Sequence, residues 1–226
     1  MNKLNIVIDF DSTLVKVEAL EELANIALNK DREKLQKMKI IGDITNQGMN
    51  GMLSFDKSLQ KRLDLFKANR NMIEKLTNLL FKSISESINA NREFLRQNRE
   101  NIYIVSGGFR EYIIPIILGL GLKEENVLAN SFIFNQNGDV VGVNKNLALA
   151  HENGKVKAVS ELGLKGRTIV VGDGMTDYQI KQFGYADMFI CYCENVEREK
   201  VAKFADRIIY SFNDVEALIS DLSRAL

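Results

Sequence analysis

The stretch Ile6-Val7-Ile8-Asp9-Phe10-Asp11-Ser12-Thr13-Leu14-Val15 decides the fold. Leu4, Ile6, Val7 and Ile8 are branched apolar residues of the kind that fill a strand buried on both faces, and the run stops abruptly at carboxylates. Side chains two apart in an extended chain point the same way, so Asp9 and Asp11 emerge together at the carboxyl edge of the strand. Two like charges in one small space repel unless a cation or a shared proton relieves them. The pair therefore suits a hard divalent cation such as Mg²⁺, an acid/base couple, or both. An isolated Asp-x-Asp reads as readily as an Asp-rich turn that closes a strand, so partners elsewhere in the chain must decide.

Working outward, 17–28 carries Leu20, Leu23, Ala24, Ala27 and Leu28 at helical spacing, with Glu18, Glu21 and Glu22 in its first turns. A second helix is expected over 31–41. Gly42, Gly48 and Gly51 then bracket a stretch without sustained periodicity, which reads as a mobile loop. Helical spacing resumes at Phe55, Leu59, Leu63 and Phe66, with Ser54 as the cap, and again at Ile73, Leu76, Leu79 and Leu80. Residues 15–87 thus form a helical insert, a cap, in a core made of 1–14 and 88–226.

Beyond the insert, helix and strand alternate. A helix over 93–97 precedes a strand over 102–105 that ends in Ser106-Gly107-Gly108. A helix within 110–120 contains Pro115, which predicts a kink or a late start. The runs 127–134 and 140–143 flank Asn137-Gly138 and read as the two arms of one hairpin. A helix over 155–162 leads to a β-branched strand over 167–171, which ends in Gly172-Asp173-Gly174-Met175-Thr176-Asp177. Strands over 186–191 and 207–209, a helix over 196–204 between them and a closing helix over 214–222 complete the pattern. The fold class is α/β: a Rossmann-like, open, mostly parallel sheet with right-handed crossovers and a helical cap inserted after the first strand. In such sheets function gathers at the carboxyl edge.

Composition narrows the alternatives. The 226 residues are 46% apolar and 27% charged, ordinary globular material, and thirty basic side chains cancel thirty acidic ones. No basic block is interleaved with aromatics, which argues against a nucleic-acid partner. No apolar run reaches membrane-spanning length and no cationic, apolar leader opens the sequence, so no membrane partner and a cytoplasmic location are expected. Cys191 and Cys193 read as reduced packing residues, since their spacing suits neither an ordinary disulfide nor a zinc site. His151, the single histidine, reads as a polar loop residue.

Three strands and a lysine-bearing helix thus deliver polar groups to one edge. Cleaving a phosphomonoester requires a nucleophile for phosphorus, donors for its oxygens, a proton source for the leaving alcohol and a hard cation. Asp9 can attack, Asp11 can exchange protons, Ser106 and Lys155 can hold phosphate oxygens, and Asp9 with Asp173 can bind Mg²⁺.

These segments, Asp-Phe-Asp-Ser-Thr at 9–13, Val-Ser-Gly-Gly-Phe at 105–109, Lys155 and Gly-Asp-Gly-Met-Thr-Asp at 172–177, resemble the four ordered motifs of the haloacid-dehalogenase superfamily over nearly the whole chain. Within it the insert is similar to that of the phosphoserine phosphatases. Glu18 follows the first motif, and Met49, Gly51, Phe55 and Arg62 fall in a Met-x-Gly-x-x-x-Phe-x-x-x-x-x-x-Arg pattern.

The resemblance implies an aspartyl-phosphate on Asp9, with Asp11 as the acid and then the base. It implies Mg²⁺ on Asp9, the backbone carbonyl of Asp11 and Asp173, supported by Thr176 and Asp177, and phosphate held by Ser106, Gly107 and Lys155. Glu18 would face the substrate ammonium and Arg62 its carboxylate, with Met49 and Phe55 lining the pocket. Thr176 stands where many relatives carry Asn. The substrate expected is a small phosphomonoester, phosphoserine. The alternatives are another small phosphometabolite, a phosphotransferase, or a phosphate- and Mg²⁺-binding module without turnover.

Overall fold

A computed structural model describes residues 4–224. Strand β1 (Leu4–Ile8) leads into helices α1 (Ala19–Ala27), α2 (Lys34–Met49), α3 (Phe55–Leu63), α4 (Arg70–Lys82), α5 (Glu86–Ala90) and α6 (Arg92–Gln97). Strand β2 (Ile102–Phe109), helix α7 (Arg110–Gly119) and strands β3 (Val127–Asn130), β4 (Phe132–Phe134) and β5 (Val140–Val143) follow. The chain continues as α8 (Gly154–Glu161), β6 (Arg167–Gly172), α9 (Met175–Gln182), β7 (Met188–Tyr192), α10 (Glu199–Ala202), β8 (Arg207–Ile209) and α11 (Phe212–Arg224).

Six strands form one sheet in the order β3-β2-β1-β6-β7-β8, and every neighbouring pair is parallel. The expected α/β class is borne out. The period of two explains the layering. Ile6, Ile8, Ile104, Ile169 and Val171 join one apolar cluster, while Val7, Val105, Val170 and Phe189 join another on the opposite face. At roughly 1.5–3 kcal/mol per fully buried side chain, this two-sided burial fixes β1 as the central strand. In register Ile8 pairs with Ile104 on one side and Val171 on the other, so β1 and β6 end level with each other while β2 runs on to Phe109. The strand order reverses about β1, which opens a crevice at that edge.

Helices α1 to α4 leave and return through one antiparallel bridge, Val15 with Ile84, flanked by Lys16 N–H to Ser83 O at 2.8 Å and Ser85 N–H to Leu14 O at 3.0 Å. They are also tied to the β4–β5 hairpin. Arg70 N–H donates to Gly138 O at 3.0 Å, Val140 N–H to Ala68 O at 2.9 Å, and the Arg70 guanidinium lies 3.9 Å over the Phe134 ring.

Several local expectations are corrected. The glycine-punctuated stretch is mostly helix, because α2 runs through Gly42 and Gly48 to Met49. Ile41 and Thr45 bury one face of that helix, and a side chain at Gly48 would meet Ser58 Oγ at 2.9 Å, so this glycine admits α3 rather than ending α2. Only Gly51, at φ 71°, turns the chain. The run 127–134 is two strands: β3 joins the large sheet and β4 pairs with β5. Helix α7 begins at Arg110 with Pro115 inside it, and the helix expected over 196–204 is the single turn α10. No helix among the described residues is long and apolar enough to cross a membrane.

Candidate active site

Asp9 continues the β1 ladder, with its N–H donating to Val171 O at 2.9 Å. The chain then coils back on itself at Ser12, whose backbone is left-handed at φ 53°. This loop keeps both acids of the opening motif inside: Asp9 and Asp11 are 3% and 9% exposed. Asp9 Oδ1 accepts from the Phe10 amide at 2.7 Å and faces Lys155 Nζ at 2.7 Å. Asp11 Oδ1 accepts from Ala19 N–H at 2.8 Å, at the first residue of α1. Burial first, then the charges of Glu18 and Asp9, raise the Asp11 carboxyl well above its usual range.

Lys155, the second residue of α8, also contacts Asp177 Oδ1 at 2.7 Å. Burial alone would lower it, but Asp177 and Asp9 outweigh that cost and hold the ammonium above its ordinary range. Gly154 must be glycine, since a side chain there would meet Ala148 O at 2.5 Å. Asp177, in the first turn of α9, accepts the Gly174 amide at 3.1 Å on Oδ2 and occupies the space a Gly172 side chain would need. Burial and the charge of Asp9 push its carboxyl well up.

Asp9, Asp173 and Asp177 offer carboxylate oxygens within 4.8 Å of one another, all buried. Asp173 Oδ2 accepts from Arg198 Nε at 2.8 Å, whereas its buried Oδ1 has no hydrogen-bond partner among the described residues. Burial raises Asp173 despite Arg198. An all-oxygen donor set with one unsatisfied carboxylate oxygen and mutually repelling charges fits a hard divalent cation such as Mg²⁺. Asp11 Oδ1 is engaged by Ala19, and its other carboxyl oxygen accepts no hydrogen bond from Ala19.

The remaining residues singled out from sequence surround one pocket. Asp9, Asp11, Glu18, Met49, Phe55, Arg62, Gly107, Lys155 and Thr176 all line it, while Ser106, Asp173 and Asp177 do not. Ser106 Oγ, fully buried at the end of β2, accepts the Gly108 amide at 2.9 Å. Phe55 lies so close to Gly107 that a side chain there would meet its ring at 2.4 Å. Met49 Sδ takes the same position against Gly174, at 3.3 Å, and Met175 abuts Gly51 from the core side. The water-accessible space in the pocket is small, about 40 Å³.

Glu18 Oε1 accepts from Ser12 Oγ at 2.8 Å and from Arg198 Nη2 at 3.3 Å. Burial, then the Asp173 charge, push it up to about 7. Arg62 is 6% exposed, and its guanidinium makes only long contacts to neutral acceptors, Ser58 O at 3.3 Å and Thr45 Oγ1 at 3.4 Å. Burial lowers it, opposed chiefly by Glu18.

Sequence reasoning missed Arg198 and Tyr112. Arg198 joins Asp173 and Glu18 and reaches Asn46 Oδ1 of α2 at 3.3 Å. It follows the end of β7, in a polar stretch with Asn195, whose Nδ2 holds Ser12 O at 3.1 Å. Treating that strand end like the other three would have pointed to it.

Residues 5–180 match the haloacid dehalogenase-like hydrolase family, and the chain belongs to it. Phosphoserine phosphatases are among the similar proteins. The chloroplastic enzyme of Arabidopsis thaliana is 35% identical over 95% of this chain and 70% of its own length. That of Homo sapiens is 28% identical over 90% and 88%. Among solved structures, a phosphoserine phosphohydrolase-like protein from Francisella tularensis superposes with a TM-score of 0.87 at 33% identity, covering 96% of this chain and 100% of that one. A phospho-aspartyl intermediate analogue of phosphoserine phosphatase gives 0.75 at 28% identity, covering 95% and 97%.

Proposed function

We propose that this chain hydrolyses O-phospho-L-serine to L-serine and inorganic phosphate in a Mg²⁺-dependent reaction through an aspartyl-phosphate on Asp9. The chain is a phosphoric monoester hydrolase, and the observation that supports the substrate reading is the meeting of two sets of residues in one pocket. Asp9, Asp11 and Lys155 line it together with Glu18 and Arg62.

Both contacts of the Asp9 carboxylate fall on Oδ1, so Oδ2 is the oxygen free to attack phosphorus. The Oδ2–P bond forms as the ester P–O bond breaks, and the serine oxygen departs with the proton that Asp11 holds at its raised carboxyl. Asp11, now ionised, takes a proton from water as the water oxygen bonds to phosphorus and the Asp9–P bond breaks. Ester plus water thereby becomes serine plus phosphate, and both acids return to their starting state. Lys155 and the Gly107 amide hold the phosphoryl oxygens, with Ser106 beneath them. Asp9, Asp173 and the Asp11 carbonyl would hold Mg²⁺, with Thr176 and Asp177 in support; when bound, the ion neutralises charge on the phosphoryl group.

Glu18 receives the substrate ammonium and Arg62 the carboxylate, between the apolar faces of Met49 and Phe55. Residues 15–87 act as a cap, with Met49 of α2 and Phe55 and Arg62 of α3 over the pocket, and its opening admits substrate. The reaction yields free serine, a step of amino-acid biosynthesis, and we place it in the cytoplasm.

The test is Mg²⁺-dependent phosphate release from phosphoserine, with acid quenching to trap a phosphoryl group on the peptide that contains Asp9. The expected result is a trapped adduct and no release by Asp9→Asn. Release that survives this substitution, or proceeds without divalent cation, overturns the mechanism.

A further inference from the structure

Tyr112, three residues into α7, is fully buried, and its hydroxyl has no hydrogen-bond partner among the described residues. Such orphans are rare, because a buried polar group without a partner forfeits its hydrogen bonds to water. The ring needs no hydroxyl for packing. It is wedged between Phe109, 6.1 Å away edge-on, and Phe10, 6.4 Å away, where phenylalanine would fit as well. Room for the oxygen exists because residue 108 is glycine: a side chain there would meet Tyr112 Oη at 2.9 Å.

Tyr112 belongs to the pocket, which it lines together with Arg62, Thr45 and Asp11. Burial raises the phenol well above its usual range, with Asp11 the foremost charge acting on it and Arg62 opposing, so it stays a donor at any working pH. Arg62 is similarly unspent: its contacts are to a backbone carbonyl and a threonine hydroxyl, and no carboxylate lies within ion-pair distance of it among the described residues. A cation with idle N–H groups and a phenol with an idle O–H line one pocket. A carboxylate, with lone pairs on both oxygens, satisfies them together.

We propose that the Tyr112 hydroxyl donates to the carboxylate of the amino-acid substrate beside Arg62, so that recognition at this end needs both groups. This rests on the phosphoserine reading above. The Phe109 amide opposes the rise in the phenol more than Arg62 does, but leaves its proton free, and the phosphoryl end is already supplied by Lys155 and the Gly107 amide. Tyr112 is thus a specificity residue: it separates substrates with a carboxylate from phosphomonoesters without one.

The experiment compares wild type with Tyr112→Phe on phosphoserine and on phosphoethanolamine, which lacks the carboxylate, in Mg²⁺. Loss of a hydrogen bond to a charged group predicts a roughly 10- to 100-fold fall in kcat/KM for phosphoserine, carried by KM. Turnover of phosphoethanolamine stays within about twofold, since no substrate group there meets the hydroxyl. Binding of L-serine weakens by the same factor while inhibition by inorganic phosphate is unchanged, and the melting temperature without ligand is equal or higher because the orphan is gone. An unchanged kcat/KM for phosphoserine, or an equal loss on both substrates, overturns the proposal. If wild type shows no preference for phosphoserine, the substrate reading itself fails, and this assignment with it.

Discussion

At the sheet edge, Lys155 reaches Asp9 and Asp177 at 2.7 Å each, and Arg198 reaches Asp173 at 2.8 Å. Across the pocket, Arg62 finds only neutral acceptors at 3.3 and 3.4 Å, and the Tyr112 hydroxyl finds none. The first wall is a network of buried charge, held by strand ends, the starts of α8 and α9 and Arg198 after β7, and its ion pairs are formed before substrate arrives. The second is a set of unspent donors on α3 and α7. The difference separates two tasks. Phosphoryl transfer needs groups whose positions are settled in advance, since reorganisation at the moment of reaction costs rate. Recognition of the leaving group needs groups that gain their partners from the substrate.

The comparison can be broken most severely at Asp9. Asp9→Asn keeps the acceptor for Phe10 and removes the nucleophile, so kcat should fall by about 10⁴-fold or more with substrate binding retained, as judged by competition with wild type for phosphoserine. The carboxylate cluster should next declare itself in stability. Mg²⁺ at about a hundred times its dissociation constant should add roughly 2.7 kcal/mol. For a domain of this size that is roughly 5–10 °C in Tm. The shift should be lost in Asp173→Asn, and differential scanning fluorimetry reads it without any turnover.

On the recognition wall, Arg62→Ala should raise KM for phosphoserine by about 10- to 100-fold with a smaller effect on kcat, the signature of lost uniform binding. A larger fall in kcat than rise in KM would move Arg62 to the chemical wall. The smallest effect should come from Glu18. Held at about 7, it is neutral below that pH and cannot pair with an ammonium, so KM for phosphoserine should fall as pH rises through about 7. Glu18→Gln should flatten that limb and leave KM about tenfold above wild type at the alkaline end. Comparing the two proteins cancels the titration of the substrate phosphate.

The charged wall was the more legible of the two in the sequence. Its residues follow branched apolar runs at the ends of β1, β2 and β6, where a period of two and a sudden switch to Asp, Ser or Gly announce both the strand and its polar edge. The recognition wall gives weaker signals. Glu18 and Arg62 stand out through their spacing from the first motif and from Met49 and Phe55. Tyr112 looks like any aromatic in an apolar helix, since nothing local shows that its oxygen lacks a partner. Arg198 lies 25 residues beyond Asp173 in the chain, and only the sheet brings them together. The glycine at 48 misled for a related reason: packing of α2 on α3, a tertiary fact, outweighs its helix-breaking tendency. At Ser131 the chain leaves the large sheet for the hairpin, a change of partner that an uninterrupted apolar run conceals.

The most direct test of the account is the ratio of kcat/KM for phosphoserine to that for phosphoethanolamine in the wild-type protein with Mg²⁺. Contacts from Arg62 and Tyr112 to a carboxylate that only one substrate carries predict a preference for phosphoserine of about 10²-fold or more. Equal values for the two substrates would contradict the division of the pocket into a chemical wall and a recognition wall.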